Sequence, residues 1–343
     1  MKTWRIVAGT HVDGLKLSDE APGQLGPTHV RVRLRAASLN FRDLMVVHGW
    51  YPVGSQEPLV PGSDGAGDVI ECGSAAKRFK VGDRVTTSFF PDWVEGRPTP
   101  QKIAGALGGG GTGGGGAGTF AEEILLPEHA LIRSPRHLSY AEAATLTCAG
   151  VTAWRALFVV AQLRPGETVL LLGTGGVSIW ALQLAKAAGA RVIITSSSDA
   201  KLAKAKELGA DEVINYTTTP EWSGEARRLT DGEGADVVIE VGGEKTIGQS
   251  LASVRMAGTI VIVGAVSGMG GGIAPRQLIT GATRVQGVYV GSREMHEELA
   301  RFVEVAKIRP VVDRTFPLVE APDAYRYFEA GRHFGKVALA CAG

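Results

Sequence analysis

Apolar and polar residues alternate in short runs over the first third of the chain: Trp4-Arg5-Ile6-Val7, Val30-Arg31-Val32-Arg33-Leu34, Asp68-Val69-Ile70 and Asp83-Arg84-Val85. A period of two, punctuated by Gly and Pro, predicts an antiparallel β-rich domain. From about Thr168 the pattern changes. Continuous apolar runs at 169–172, 192–194, 237–239 and 260–263 now alternate with helical spacings at 177–188 and 200–208. Apolar strands separated by helices predict βαβ units and a parallel sheet covered on both faces. Gln286-Gly-Val-Tyr-Val290 reads as one more strand, at the sheet edge. The tail predicts an amphipathic helix over 294–306, a second over 321–329, and a closing strand over 336–340.

Length and charge narrow the choice of partner. At 343 residues the chain exceeds the size at which one core keeps growing, so two domains are expected. Lys and Arg number 36 against 35 Asp and Glu, which excludes a global charge that would draw nucleic acid or anionic membrane. Partner choice must therefore come from a local site. The three cysteines, Cys72, Cys148 and Cys341, lie far apart without CxxC spacing, which argues against a disulfide framework or a structural zinc lobe and fits a reducing cytoplasm. Neither a signal-type h-region nor an uninterrupted apolar stretch of about 18 residues is seen, so the sequence predicts neither secretion nor a membrane span.

Glycine is the compositional outlier, 47 residues, about twice the usual share of roughly 7%. Part of it forms a run over 108–118, which reads as a flexible surface loop or, alternatively, as a lid. The chemically informative part is Leu170-Leu-Leu-Gly173-Thr-Gly175-Gly176-Val177-Ser178, a strand entering a glycine turn that opens a helix, with Gly189 placed to end that helix. Gly173 permits the tight turn, and Gly175 lets backbone approach a pyrophosphate held at the helix N-terminus. Gly176 and Val177 begin that helix. Ser178 stands where a third glycine is usual. The next strand ends in Ser196-Ser197-Ser198 rather than in the Asp or Glu that binds an NAD ribose. Ser196 and Ser197, with Lys201 one turn on, suit a 2′-phosphate, so NADPH is expected over NADH. Asp199 reads as the cap of the 200–208 helix.

These residues, with Ser38-Leu-Asn40-Phe-Arg-Asp43, Gly49-Trp-Tyr51-Pro, Pro61-Gly-Ser-Asp-Gly65-Ala-Gly67, Lys80-Val-Gly-Asp-Arg-Val85, Cys148-Ala-Gly-Val-Thr152-Ala-Trp154, Asn215-Tyr216 and Gly335-Lys336-Val, resemble the medium-chain dehydrogenase/reductase superfamily in its zinc-independent, quinone oxidoreductase-like branch. The resemblance covers essentially the whole chain. It implies an α/β fold: a GroES-like β-rich catalytic domain (1–145 and 292–343) interrupted by a Rossmann domain with a doubly wound parallel sheet (146–291). It also implies a homodimer in which the strand 286–290 pairs with its counterpart.

Departures from the zinc-containing members shape the expected chemistry. Their catalytic zinc takes a Cys, a His and a Cys; the matching positions here are Asn40, Ser63 and Cys148. One thiolate cannot supply three protein ligands, so no zinc is expected, and Cys148 reads as a small buried hydrophobe. The substrate must then bring its own electrophilicity, as quinones and α,β-unsaturated carbonyls do. The family-matched catalytic candidates are Asn40, Tyr51 and Thr152, with Arg42 and Asp43 alongside. Asn40 donates to a substrate oxygen or satisfies loop backbone; Tyr51 is a proton donor or a packed aromatic; Asp43 reads as structural and Arg42 as a solvated or paired charge. Tyr216 is placed by the resemblance near the adenosine 2′-phosphate or serves as a wall of the sheet. Lys336 reaches the cofactor phosphates or sits exposed. The functions that follow are an NADPH-dependent quinone or enone reductase, a metal-free NAD(P)-dependent alcohol or aldehyde dehydrogenase, or a non-catalytic nicotinamide-binding protein.

Overall fold

The computed structural model describes residues 1–51, 53, 58–109 and 117–341. The chain forms two compact units, Met1–Val151 with Val290–Gly343 (unit 1) and Thr152–Tyr289 (unit 2). The strands in chain order are β1 Lys2–Arg5, β2 Lys16–Asp19, β3 His29–Ser38, β4 Asp64–Cys72, β5 Arg84–Thr87, β6 Glu123–Pro127 and β7 Leu131–Arg133. Then follow β8 Thr168–Leu171, β9 Arg191–Ser196, β10 Glu212–Asn215, β11 Ala235–Glu240, β12 Val254–Ile262 and β13 Arg284–Gly287. The tail adds β14 Val312–Pro317 and β15 Lys336–Ala340.

Unit 1 is built on a mostly antiparallel sheet of order β14-β15-β3-β4-β5-β7, with β6 also paired to β3. The period-two pattern accounts for its layering: along β3, Val30, Val32 and Leu34 are buried while the intervening Arg31 and Arg33 are partly or fully exposed. The tail closes the sheet because Lys336–Ala340 pairs antiparallel with β3, setting Ala338 opposite Ser38. The helix Ala321–Glu329 contributes Ala321, Ala324, Tyr325 and Phe328 to the same core.

Unit 2 is a six-stranded sheet of order β10-β9-β8-β11-β12-β13, parallel throughout. The order reverses between β8 and β11, the switch point at which doubly wound sheets bind ligands. Its central strands carry continuous apolar runs, Val169–Leu171 in β8 and Val237–Ile239 in β11, as strands covered by helices on both faces do. The last strand is β13, Arg284–Gly287, two residues earlier than the apolar pattern of 286–290 suggested; Val288 still donates to Ile262 O, but Tyr289 is exposed.

The helical stretch Tyr140–Val160 is long and apolar enough to cross a membrane by length and composition, yet 78% of its most apolar window is buried in the protein. It is a core helix. Of the glycine run, residues 110–116 lie outside the described residues. Gly108 and Gly109 before it take positive φ.

Candidate functional site

In unit 2, β8 turns through Gly173 and Gly175 into the 12-residue helix Gly176–Ala187. Gly173 has φ +70°, a conformation that side chains with a Cβ rarely adopt. A Cβ built on either Gly173 or Gly175 would meet nothing within 4 Å, so neither glycine is there to relieve crowding within the protein. The turn leaves open space in front of a helix N-terminus whose first N–H groups lack intrahelical acceptors. Gly173, Gly175, Gly176 and Val177 therefore fit a diphosphate. Ser178 is buried and donates through Oγ to Leu172 O at 2.7 Å, fastening the helix start to the strand end where a third glycine would allow close packing. Gly189 follows the C-cap Ala188 with φ +81° and ends the helix.

The neighbouring strand ends carry the serine turn. Ser196 is opposite Asn215, is buried, and accepts the Ser198 N–H at 3.3 Å; Tyr216 N–H donates to the Ser196 carbonyl. Ser197 is exposed, Tyr216 is 42% exposed, and Lys201 lies in the first turn of the helix Asp199–Glu207. Asp199 is not the helix cap. Ser198, in extended conformation, takes that place and accepts the Lys201 N–H, because a hydroxyl at the N-cap reaches the N3 amide directly. Asp199 instead accepts from Asn215 Nδ2 at 2.7 Å. Another acid was not anticipated: Glu240, fully buried at the end of β11, accepts from the Gly242 and Gly243 amides and from Thr246 and Ser250 hydroxyls. A lone acid closing the apolar run 237–239 was its only sequence mark.

In unit 1, three adjacent strand ends bring a different kind of site together. Ser38 on β3 is opposite Asp64 on β4 and Ala338 on β15, which places Asn40, Asp64 and Lys336 side by side. Lys336 is 2% exposed and donates from Nζ to Leu39 O (2.6 Å), Asn40 Oδ1 (2.6 Å) and Asp64 Oδ2 (3.2 Å). This corrects the expectation that it meets cofactor phosphates or solvent: its three protons are committed to acceptors within unit 1. The charge is buried because Asp64, fully buried, would otherwise be an uncompensated carboxylate.

Lys336 also decides how Asn40 faces. An ammonium only donates, so it must meet the amide oxygen, and the Asn40 Nδ2 points away from it. That nitrogen is buried and has no hydrogen-bond partner among the described residues. Asn40 is the N-cap of helix α1, Phe41–Val47, and Asp43 Oδ2 accepts its backbone N–H at 2.8 Å, which gives Asp43 the structural role expected of it. Burial raises the Asp43 carboxyl above its ordinary range, with Arg42 opposing. Arg42, expected to be solvated or paired, is buried at 7% exposure with Asp43 Oδ1 3.7 Å from Nη2. Tyr51 is half-buried, its ring 6.0 Å from the Arg42 Cζ. Tyr325, fully buried and unmarked in the sequence, has no hydrogen-bond partner for its hydroxyl among the described residues, and burial and the nearby Asp43 charge push that phenol well above its usual pKa. Thr152 is buried and is the first residue of unit 2.

The positions that would hold a catalytic zinc do not fit one. Ser63 donates its hydroxyl proton to Asp64 Oδ1. Cys148 is held protonated, its thiol pushed up to about 12 by burial and then by the Asp64 charge. The Lys336 ammonium already bonds the Asn40 oxygen and Asp64, the acceptors a metal would need. Among the described residues no group of three or more His, Cys, Asp or Glu is arranged to hold a metal ion.

Residues 26–136 match the alcohol dehydrogenase GroES-like domain family and residues 176–305 the zinc-binding dehydrogenase family. The chain is 45% identical over 328 residues to a zinc-type alcohol dehydrogenase-like protein of Schizosaccharomyces pombe, covering 93% of each. It is 34% identical over 341 residues to a quinone oxidoreductase of Pseudomonas aeruginosa, covering 95% of each. Its fold superposes on the crystal structure of an NAD-dependent alcohol dehydrogenase with a TM-score of 0.90, 36% identity and full coverage of both chains.

Proposed function

This chain belongs to the medium-chain dehydrogenase/reductase superfamily of NAD(P)-dependent oxidoreductases, and on that premise we propose that it reduces quinones or α,β-unsaturated carbonyls with NADPH and without zinc. The observation that carries the reading is the Asn40 amide: Lys336 holds its oxygen, and its NH2 is left buried without a partner among the described residues. A preorganised donor of this kind stabilises charge that develops on a substrate oxygen and costs no reorganisation at that moment.

The nicotinamide, when bound, supplies a hydride. Gly173, Gly175, Gly176 and Val177 would hold the diphosphate by backbone. Ser196, Ser197, Lys201 and Tyr216 would surround the 2′-phosphate, and Thr152 would position the nicotinamide or a substrate oxygen. Asn40 Nδ2 donates to the oxygen of the conjugated carbonyl, and the Tyr51 hydroxyl supplies the proton that completes reduction. A conjugated electrophile suits this donor set because the oxygen acquires charge by delocalisation, where a zinc ion would otherwise polarise it. The edge strand β13 would pair with a second copy, which removes an open sheet edge, and the free thiols Cys72, Cys148 and Cys341 suit the cytoplasm.

Asp199, tied to Asn215 beside the serine turn, favours a second reading of cofactor choice, since a carboxylate there would accept from an NAD ribose. The test is oxidation of NADPH and NADH against quinones, enones, aldehydes and ketones, with and without a chelator. Faster turnover of NADPH with quinones or enones, unaffected by chelation, is expected. Loss of activity with removal of one zinc per chain, or turnover of alcohols and aldehydes alone, contradicts the proposal. Ser196→Asp should shift preference toward NADH by about tenfold or more, since one charge-assisted contact is worth about 1.5–3 kcal/mol.

A further inference from the structure

Arg42 is the most expensive unexplained group in unit 1. None of its three guanidinium nitrogens has a hydrogen-bond acceptor among the described residues. The nearest carboxylate oxygen, Asp43 Oδ1 at 3.7 Å, is beyond hydrogen-bond length, and the other oxygen of that carboxyl is turned to the Asn40 backbone. The flat face of the guanidinium rests on Phe89, with Cζ 4.6 Å from the ring centroid. Stacking of this kind leaves the in-plane N–H edge free to donate. An unsatisfied buried donor is costly, and more so when charged. Two residues earlier on the same helix start stands a second orphan, Asn40 Nδ2, at 8% exposure.

We propose that Arg42 and Asn40 together form an oxyanion site for the planar, delocalised oxygen that a conjugated carbonyl becomes on accepting hydride, with Arg42 supplying the positive charge. The inference deepens the function proposed above and rests on it for the identity of the substrate. In the step concerned the nicotinamide gives up a hydride and is oxidised, and a C–H bond forms at the β-carbon. The C=C pair moves to become the new enolate double bond, the carbonyl π pair moves onto oxygen, and no proton is transferred until the enolate is quenched. The two donors suit a single oxygen whose charge is delocalised into a conjugated system, as in an enolate or a phenolate. Arg42 and Lys336 are matched by Asp43 and Asp64, so a ligand already bearing a carboxylate would meet a cluster with no net positive charge to spare.

A stable phenolate reports on such a site without turnover. The purified full chain is titrated with 4-nitrophenol at a pH below the probe's own pKa, and the phenolate absorbance is followed, with 4-nitroanisole and benzoate as controls. Wild type should bind the probe as its phenolate, Arg42→Met should bind it at least about tenfold more weakly and in its neutral form, and Arg42→Lys should fall between. Should Arg42→Met fail to fold, the downward shift of the bound probe's titration in wild type and its reduction in Arg42→Lys give the same answer. Binding of the neutral phenol by wild type, no binding at all, an unchanged phenolate signal in Arg42→Met, or tighter binding of benzoate than of 4-nitrophenol would each overturn the site. Phenolate binding through Arg42 in a protein that reduces no enone or quinone would instead remove only the proposed function. Normal enone reduction without phenolate binding would remove only the oxyanion site.

Discussion

The glycine turn of unit 2 holds no charged side chain: Gly173 and Gly175 look onto open space, and what the turn offers a ligand is backbone amides at the start of one helix. Unit 1 holds two acids and two cations, all buried, around the ends of three strands and the first turn of α1. A fixed dipole suits a ligand whose charge never changes, such as a diphosphate. A crowded cluster in which donors are left over suits charge that appears and disappears. The difference makes the two regions vulnerable to different substitutions.

The largest effect is expected at Lys336. Lys336→Met removes the cation from the fully buried Asp64 and frees the Asn40 amide to rotate, and breaking a buried pair in this way costs about 3–5 kcal/mol. Urea unfolding should show that loss, and a variant as stable as wild type would mean the cluster is not held by this ammonium.

Gly175→Val should do the reverse, leaving stability alone and blocking the cradle. Its φ is −81° and nothing lies within 4 Å of the added Cβ, so the folded chain accommodates it, while NADPH affinity should fall by roughly 100-fold, about 2.7 kcal/mol. Fluorescence titration with NADPH measures this, and unchanged affinity would place the cofactor elsewhere.

A smaller effect separates the units by pH. His296, buried in unit 1 on the helix Arg293–Ala306, is pushed down to about 3 by burial. The unfolded chain takes up a proton near pH 6.5 that the folded chain refuses, so this contribution is present above that pH and is lost as pH falls toward 3. Between pH 7 and 5 it amounts to about 2 kcal/mol. Urea unfolding of wild type and His296→Gln at both pH values should show a shallower loss in the variant; equal slopes would contradict the burial account.

The same contrast explains what the sequence disclosed. The proposed cofactor cradle is local: strand, glycines and helix lie within twenty residues, and the serine turn follows on the next strand, so periodicity and turn chemistry mark both in the sequence. The parallel sheet of unit 2 is legible for the same reason, since β8, β9, β11 and β12 each contain a continuous apolar run. The unit 1 cluster joins residues 40–43, 63–64, 148 and 336, which only strand pairing brings together. Family resemblance pointed to Asn40, but the burial of Lys336 and Arg42 was hidden because a lone cation beside a strand reads as solvated. Asp199 was misplaced by one residue since three consecutive serines and an acid all make good caps.

The central claim is that unit 2 holds the cofactor and Asn40 in unit 1 acts on the electrophile. Asn40→Asp tests it most directly, because the aspartate keeps an acceptor for Lys336 while an acidic oxygen takes the place of the donor nitrogen. Steady-state rates with a quinone or enone, measured beside NADPH affinity by fluorescence, should show kcat/KM reduced by about 100-fold or more at unchanged NADPH affinity. Wild-type kcat/KM in this variant, or a loss of NADPH binding that matches the loss of rate, would contradict the account.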